Sequence, residues 1–220
     1  MKRASRQDLC ARIEAVGIVP VVRAPSPELA MRAAEAVLAG GISIFEITMT
    51  VPDAPAVIRS LVDRLGDRAV VGAGTVLDAE AAQRCIEAGA AFVVSPGLDL
   101  ATITAAHEHG VPIMPGALTP TEVITAWKAG ADMVKIFPAS AVGGPKYLKA
   151  LRGPLPDVKL LPTGGVNAAT AGEYIAAGAT ALGVGSELVD TAALARGDDA
   201  LLTERARELV AAVQAARAKH

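Results

Sequence analysis

The chain is poor in aromatic residues and has no surplus of charge of either sign. Of its 220 residues, 3% are aromatic, 52% are hydrophobic and 20% are charged. The high hydrophobic content excludes an intrinsically disordered chain. The scarcity of aromatic residues disfavours an aromatic-rich all-β sandwich and favours helices packed closely on a sheet. The 21 basic and 23 acidic residues give a net charge of −2, without the basic stripe that nucleic-acid binding requires.

Cysteines and long apolar segments are also scarce. The two cysteines, Cys10 and Cys85, are too few for a disulfide framework and lack the spacing of a metal site, which favours a reducing compartment. No segment approaches 18 consecutive apolar residues, and the run Ile18–Val22 is too short for the core of a signal peptide. We therefore expect a cytoplasmic protein with neither a membrane nor a nucleic acid as partner.

Short apolar runs alternate with helix-like stretches along the chain. The runs start 20 to 26 residues apart, near Gly17, Ser43, Ala69, Phe92, Pro112, Met133, Lys159 and Ala181. The stretches between them begin with cap residues, namely Ser26, Asp53, Asp78, Asp99, Thr119 and Asn167, and many end in glycine. Runs such as Phe92-Val93-Val94 lack polar alternation, which is typical of parallel strands buried on both faces.

This alternation predicts an α/β protein with the (β/α)8 TIM barrel fold and an extra N-terminal helix. The alternative is an open doubly wound sheet, which the absence of G-x-G-x-x-G after the first strand disfavours. We expect a single domain over residues 1–220, with a helical extension at 1–16, the barrel at 17–189 and a closing helix within 190–220. The extra helix, over 6–14, is expected to plug the bottom of the barrel.

Two charged residues lie inside apolar runs that should be buried. Glu46 lies in Ile44-Phe45-Glu46-Ile47-Thr48, and Lys135 lies in Met133-Val134-Lys135-Ile136. An isolated buried charge costs several kcal/mol, so these residues are either a structural ion pair or a functional one. A desolvated lysine has a lowered pKa and can attack a carbonyl to form a Schiff base, while a nearby carboxylate transfers protons.

Other polar and special residues follow the ends of the predicted strands, where barrel active sites lie. Arg23 closes the first strand and could clamp a substrate carboxylate, or it is a surface residue beside a turn. Thr75 follows the third strand and could equally be a helix cap. Ser95-Pro96-Gly97 closes the fourth strand, and Pro115-Gly116 closes the fifth.

Glycine-containing loops follow the seventh and eighth predicted strands. The first is Pro162-Thr163-Gly164-Gly165-Val166-Asn167, and the second begins Gly183-Val184-Gly185-Ser186. Loops at these two positions commonly bind phosphate through backbone N–H groups, which predicts a phosphorylated substrate; the alternative is two tight turns. The His107-Glu108-His109 segment lies at a helix end, where histidine is an ordinary residue. We therefore expect neither a metal nor a cofactor.

Six motifs together resemble the 2-keto-3-deoxy-6-phosphogluconate (KDPG) aldolase and 4-hydroxy-2-oxoglutarate aldolase family, in order and with compatible spacing from about Gly17 to Val189. They are Phe45-Glu46-Ile47-Thr48, Val71-Gly72-Ala73-Gly74-Thr75-Val76, Val94-Ser95-Pro96-Gly97, Met114-Pro115-Gly116, Lys135-Ile136-Phe137-Pro138 and Pro162-Thr163-Gly164-Gly165-Val166.

The resemblance implies a class I aldolase, usually a homotrimer of barrels. Lys135 would be the Schiff-base lysine and Glu46 the general acid and base. The implied substrate-binding residues are Thr75 and Pro96 around pyruvate and Phe137 beside the lysine, and the implied phosphate-binding residues are Gly164, Gly165, Gly185 and Ser186. Some members carry an arginine four residues after the glutamate, where this chain has Thr50, so the resemblance assigns the carboxylate clamp to Arg23.

The implied reaction is the reversible cleavage of KDPG to pyruvate and glyceraldehyde 3-phosphate through a lysine Schiff base, without a metal. Three alternatives remain open. A 4-hydroxy-2-oxoglutarate aldolase would release glyoxylate and pyruvate. An aldolase for the 6-phosphogalactonate epimer would differ in stereochemistry at C4. A non-catalytic assembly protein could use the same barrel, although the buried Glu46–Lys135 pair disfavours it.

Overall fold

A computed structural model describes residues 4–219, so the ends of the expected domain, residues 1–3 and 220, lie outside the described residues. Within this range the strands are β1 Ile18–Val22, β2 Ile44–Thr48, β3 Val70–Gly74, β4 Val93–Val94, β5 Ile113–Met114, β6 Gly116–Ala117, β7 Val134–Ile136, β8 Leu160–Pro162 and β9 Leu182–Val184. The α-helices are α1 Arg6–Val16, α2 Pro27–Ala39, α3 Ala54–Leu65, α4 Ala79–Glu87, α5 Leu100–Glu108, α6 Pro120–Lys128, α7 Pro145–Arg152, α8 Ala168–Ala176, α9 Thr191–Ala195 and α10 Asp199–Arg217.

The strands form two parallel sheets. Six strands lie in the order β5-β4-β3-β2-β1-β9, and three lie in the order β6-β7-β8. Two isolated parallel bridges, Leu160 with Ala179 and Thr163 with Gly183, join the β8 segment to the β9 segment. The α/β class is therefore confirmed, with a curled half-barrel sheet of six parallel strands. Its closure into a full (β/α)8 barrel stays a prediction.

The fifth predicted strand is interrupted rather than ended at Pro115-Gly116. β5 stops at Met114, but Gly116–Ala117 continues as β6 and pairs with β7, where Gly116 lies opposite Lys135. The expectation that Pro115-Gly116 closes this strand is therefore wrong. The cause of the interruption is that proline has no N–H to donate to the ladder.

Side chains alternate between two faces of the strands and build two apolar clusters. The inner cluster, within the curl of the sheet, contains Val19, Ile44 and Met133, and it also takes Leu9 and Ile13 from α1. A larger outer cluster packs the other strand face against the helices. The extra N-terminal helix therefore packs against the inner cluster at the start of the strands, as expected.

The helix boundaries follow the cap residues with one exception. Five of the six predicted caps, Ser26, Asp78, Asp99, Thr119 and Asn167, accept backbone hydrogen bonds through their side chains. Asp53 precedes α3 but has a left-handed φ of 52° and accepts no cap hydrogen bond. The region predicted as one closing helix holds two helices, α9 and α10.

No helix among residues 4–219 is both long and apolar enough to cross a bilayer.

Candidate active site

Lys135 and Glu46 meet inside the curl of the sheet. Each lies two residues after a member of the inner cluster, since Met133 precedes Lys135 and Ile44 precedes Glu46, so strand alternation turns both side chains inward. Lys135 Nζ lies 3.6 Å from Glu46 Oε1. Only 4% of Lys135 and 1% of Glu46 is exposed to solvent. The structure thus brings together the two charged residues that the sequence singled out.

Burial dominates the electrostatics of Glu46. Loss of solvation raises the pKa of its carboxyl above the ordinary value, and the positive charges of Lys135 and Arg23 oppose this rise only in part. Glu46 Oε1 accepts no hydrogen bond from any residue between 4 and 219. A buried carboxyl with a raised pKa and an unoccupied acceptor is suited to take up and then release a proton during a reaction.

Phe137 also lies close to Lys135, directly after β7. The centroid of its ring is 5.4 Å from Lys135 Nζ, a distance at which the ring face attracts a cation. The side chain of Phe137 is half-buried. The Lys135 nitrogen therefore has both a carboxyl group and an aromatic face near it.

Thr75 occupies a strained backbone position directly after β3. Its φ is 58°, in the left-handed region that a β-branched residue rarely adopts. Such a conformation costs of order 1–3 kcal/mol and is found mostly at functional sites. The helix cap that follows is Asp78, which accepts a hydrogen bond from the N–H of Ala81 at 2.7 Å, so the alternative that Thr75 is a cap is wrong.

The segment containing Pro96 folds close to β6. The N–H of Gly116 donates a hydrogen bond to the carbonyl of Gly97 at 3.1 Å. A Cβ atom added to Gly116 would lie 2.6 Å from Gly97 N, so only glycine permits this approach. Pro96 is thereby held near the strand that pairs with the lysine-bearing β7.

A cavity, which we call the loop pocket, lies between the ends of β1, β7, β8 and β9. Its volume is about 120 Å³, and its lining comprises Val21, Arg23, Phe137, Thr163, Gly164, Gly165, Val166, Gly185, Ser186 and Glu187. The two predicted phosphate loops thus meet in one pocket, together with Arg23 and Phe137. Thr75 and Pro96 do not belong to this lining.

Backbone groups in the loop pocket are available to a ligand. Gly164 and Gly165 have left-handed φ angles of 96° and 73°, which their turn requires. Within residues 4–219, the N–H groups of Gly165, Gly185 and Ser186 donate no hydrogen bond. Unsatisfied N–H groups in a tight loop beside an arginine form a favourable site for an anion.

Thr163 is a site residue that the sequence reasoning missed. Its side chain is buried, lines the loop pocket, and has a hydroxyl with no hydrogen-bond partner among the described residues. A buried polar group without a partner is rare in native proteins, which marks this hydroxyl as a candidate ligand contact. The available signal was its place in the chain, since it lies two residues after the inward-facing Leu161.

Among residues 4–219 the structure contains no group of three or more histidine, cysteine or acidic side chains that could hold a metal ion. His107 instead lies 3.8 Å from Asp132, measured from Nε2 to Oδ2.

The sequence matches one protein-family model and several curated relatives. The family model, described as KDPG and KHG aldolase, matches residues 9–204. A KHG/KDPG aldolase of Escherichia coli K12 is 38% identical over 193 residues, which cover 88% of this chain and 90% of the relative. A 2-dehydro-3-deoxy-6-phosphogalactonate aldolase of the same organism is 37% identical over 172 residues, covering 78% and 83%.

Solved structures are also similar to this chain, and one of them is a KDPG aldolase. A KDPG aldolase from Legionella pneumophila, with pyruvate captured as a covalent carbinolamine, superposes with a TM-score of 0.84 at 32% identity, covering 91% of this chain and 97% of that one. A cube-shaped protein cage, designed by fusing symmetric oligomeric domains, also has a TM-score of 0.84 at 32% identity, covering 92% of this chain and 74% of that one.

Proposed function

This chain belongs to the KDPG and KHG aldolase family, and we propose that it is a class I aldolase, a lyase that reversibly cleaves KDPG to pyruvate and glyceraldehyde 3-phosphate. The observation that carries the proposal is the buried Lys135–Glu46 pair, with 3.6 Å between Nζ and Oε1. A lysine enclosed with one proton-accepting carboxyl is the arrangement that Schiff-base chemistry needs.

In the first step Lys135 acts as the nucleophile. Its neutral amine adds to the C2 carbonyl of the substrate to give a carbinolamine, and loss of water from this adduct gives an iminium ion. The iminium provides an electron sink, so the C3–C4 bond can break without a metal. Phe137, whose ring lies 5.4 Å from Lys135 Nζ, covers one side of the nitrogen.

Glu46 transfers the protons of the next two steps. It removes the proton of the C4 hydroxyl as the C3–C4 bond breaks, which releases glyceraldehyde 3-phosphate and leaves an enamine on Lys135. Protonated Glu46 then returns the proton to C3, and water hydrolyses the resulting iminium to pyruvate and free lysine. The raised pKa of the Glu46 carboxyl suits a group that must be both base and acid.

Two further groups of residues bind the substrate in this proposal. Thr75 and Pro96 contact the pyruvate portion; the left-handed backbone of Thr75, at a φ of 58°, supports a functional rather than a structural role. The phosphate binds in the loop pocket, where it contacts Gly164, Gly165, Gly185 and Ser186. Arg23 also lines this pocket.

The loop pocket favours phosphorylated substrates over 4-hydroxy-2-oxoglutarate. Its N–H groups and Arg23 complement a phosphate, which 4-hydroxy-2-oxoglutarate lacks. The 6-phosphogalactonate epimer carries the same phosphate, and a relative named for it is 37% identical to this chain, against 38% for the KHG/KDPG relative. Parallel assays with the two C4 epimers decide between them: we expect a higher kcat/KM for KDPG, and a preference for the epimer would overturn this choice.

We also propose that the two sheets close into one eight-stranded barrel, which forms a single domain. Two hydrogen bonds support closure across the proline interruption, from the N–H of Asp132 to the carbonyl of Ile113 at 3.0 Å and from the N–H of Lys135 to the carbonyl of Pro115 at 2.9 Å. With β5 and β6 counted as one strand, the isolated bridges between the β8 and β9 segments also support closure of the ring.

The proposed assembly is a homotrimer. Among residues 4–219, three large apolar side chains are exposed in the segments that follow β3, β4 and β6, Leu77 by 64%, Leu100 by 52% and Ile124 by 37%. Exposed large apolar side chains support association with another protein surface. Sedimentation at three times the chain mass of 22.3 kDa is expected, and a monomer would overturn the proposal.

A cytoplasmic location stays a prediction.

Trapping the Schiff base tests the proposed function. Borohydride added with pyruvate should reduce the imine and fix a stable adduct, and peptide mapping should place the adduct on Lys135 among the seven lysines of the chain. Lys135→Ala should lose both the adduct and KDPG cleavage. The matched control is Lys149→Ala, on the exposed side of α7, which should keep both. Full cleavage with an unmodified Lys135, or loss of activity with EDTA, would overturn the class I mechanism.

A further inference from the structure

The side chain of Ser95 closes the turn that follows β4. Its Oγ donates a hydrogen bond to the carbonyl of Gly97 at 3.0 Å, and only 2% of the residue is exposed to solvent. Its N–H donates to the carbonyl of Met114 on β5 at 3.2 Å, so the residue is also anchored to the sheet. A serine hydroxyl that bonds a nearby backbone group favours one conformation of the local chain. Pro96 is the residue enclosed by this bond.

The carbonyl of Gly97 accepts two hydrogen bonds at once. One comes from Ser95 Oγ, and the other comes from the N–H of Gly116, 3.1 Å away, at the start of β6. A carbonyl oxygen has two lone pairs and can accept from both donors. Gly116 pairs with Lys135 in the ladder between β6 and β7. The hydroxyl of Ser95 therefore fixes a carbonyl that is bonded to the register partner of the lysine.

The strand ladder does not hold this turn by itself. β4 and β5 pair only over Val93–Val94 and Ile113–Met114, and Pro96 has no N–H with which to extend the pairing. Within residues 4–219, the carbonyl of Gly97 is the one backbone group of Pro96 and Gly97 that takes part in a hydrogen bond. Loss of the Ser95 hydroxyl would leave a single hydrogen bond on this part of the turn.

Strand alternation places Ser95 and Pro96 on opposite faces of the sheet. Phe92 and Val94 belong to the inner cluster, whereas Val93 belongs to the outer cluster. Carried two residues beyond β4, the same alternation turns Pro96 inward and Ser95 away from the interior of the curl. Ser95 is therefore placed to act on the site through Pro96 rather than by contact with a substrate.

We propose that Ser95 is a positioning residue for the pyruvate end of the substrate site. Its hydroxyl fixes the turn, the turn holds Pro96 beside β6, and Pro96 contacts the pyruvate portion that is bound to Lys135. The inference rests on the proposed aldolase function. It adds to that function a role for a buried hydroxyl on the outer side of the strand.

Ser95→Ala tests this role because it removes the hydroxyl and little else. We expect the pyruvate concentration that half-saturates borohydride trapping on Lys135 to rise roughly 2- to 10-fold, the scale of one lost hydrogen bond. KM for KDPG should rise with it, whereas kcat should change little because Lys135 and Glu46 are unaltered. A half-saturating concentration does not depend on the fraction of protein that is folded, so partial unfolding cannot imitate the rise.

Thr102→Val is the matched control. Thr102 lies in α5, is only 1% exposed, and donates through its hydroxyl to Asp99 Oδ2 at 2.6 Å, so this variant also deletes a buried hydroxyl shortly after the same turn. The deleted bond does not reach Pro96 or Gly97, and the pyruvate concentration for half-saturation should stay at the unsubstituted value. An equal rise in both variants would overturn the positioning role, because it would show a general loosening of the segment.

A double variant tests whether Ser95 acts through Pro96. Pro96→Ala should itself raise the half-saturating pyruvate concentration. In that background Ser95→Ala should have little further effect, because the ring that the turn positions is already absent. Additive effects of the two substitutions would overturn the positioning role.

Amide hydrogen exchange, measured by NMR, tests the geometry without a substrate. In Ser95→Ala the N–H of Gly116 should exchange roughly 2- to 10-fold faster, because its acceptor is less firmly held. The N–H of Ile113, which donates to Asp132 Oδ2 at 2.9 Å, should exchange at an unchanged rate. An unchanged rate at Gly116 would overturn the inference.

The outcomes separate this inference from the aldolase proposal. If the unsubstituted protein forms no pyruvate adduct, the aldolase proposal fails and the positioning role fails with it. If the adduct forms on Lys135 but Ser95→Ala leaves the half-saturating pyruvate concentration unchanged, only the positioning role is wrong.

Discussion

Gly74, the last residue of β3, lies directly against the carboxyl group of Glu46 on β2. A Cβ atom built on Gly74 would be 2.6 Å from Glu46 Cδ and would also collide with Oε1. The two residues are neighbours because Glu46 pairs with Gly72 in the parallel register, which brings Gly74 alongside the glutamate side chain. The space that Glu46 occupies therefore exists only because residue 74 has no side chain.

Gly74→Ala should displace the carboxyl of Glu46 from Lys135. We expect kcat to fall by more than tenfold, toward the value of a variant without the acid and base group, whose contribution is roughly 10²–10⁴-fold. Overpacking should also lower the free energy of unfolding by about 1–3 kcal/mol. Steady-state kinetics and urea unfolding measure both effects.

The matched control for this substitution is Gly172→Ala. Gly172 lies within α8, and its added Cβ would meet only Ala216 Cβ, at 3.9 Å. Alanine in a helix interior is favourable, so this variant should keep full turnover and gain up to about 1 kcal/mol of stability. Full turnover in Gly74→Ala would show that the carboxyl does not need its present position.

Glu46→Gln should separate proton transfer from Schiff-base formation. The amide has nearly the shape of the carboxyl but cannot accept and return a proton, so KDPG turnover should fall by roughly 10²–10⁴-fold. Some pyruvate adduct should still form on Lys135, because the amine remains. Borohydride trapping followed by mass spectrometry measures the adduct. A variant that retains wild-type turnover would remove Glu46 from the mechanism.

Stability should also depend on pH through Glu46. Burial raises the pKa of this carboxyl in the folded protein above the value of about 4.3 that an unfolded chain shows. Between these two pKa values the folded state binds more protons than the unfolded state, so the free energy of unfolding falls as pH rises. Relative to Glu46→Gln, the wild-type protein should therefore be most stable below about pH 4.3 and should lose this advantage as pH rises through the folded pKa. Urea unfolding of both proteins over this range would refute the expectation if their difference stayed constant or rose with pH.

The alternation of strands and helices and the inward position of Lys135 and Glu46 could be predicted because simple rules determine them. Helix-like stretches that end in glycine predict a left-handed turn after the helix, and Gly89, Gly130 and Gly178 have φ angles of 105°, 91° and 95°. A charge within an apolar run has few stable environments, so the sequence alone indicates that Lys135 and Glu46 form a pair.

Other features depend on tertiary contacts that sequence patterns do not reveal. No local rule predicts that Thr75, a β-branched residue, adopts a φ of 58°. Thr163 lies in an ordinary strand-end position, and its lack of a partner is visible only once the surrounding groups are placed. The sequence predicts an end of the strand at Pro115 because a proline commonly stops a ladder, whereas in the structure pairing resumes between β6 and β7.

Ser186→Ala should impair phosphorylated substrates selectively. Ser186 lines the loop pocket at the start of the segment after β9, and it is exposed, so its substitution should not disturb the core. Loss of one hydrogen bond to a charged group costs roughly 1.5–3 kcal/mol, which corresponds to about a 10- to 100-fold loss in kcat/KM for KDPG. Cleavage of 4-hydroxy-2-oxoglutarate should hardly change, because this substrate carries no phosphate. Both substrates are assayed with the same Ser186→Ala protein, so a folding defect cannot produce this selective loss. Unfolding would reduce both activities in proportion, whereas loss of a phosphate contact changes the ratio of the two activities. Equal impairment of both substrates would show that the loop after β9 does not bind the phosphate.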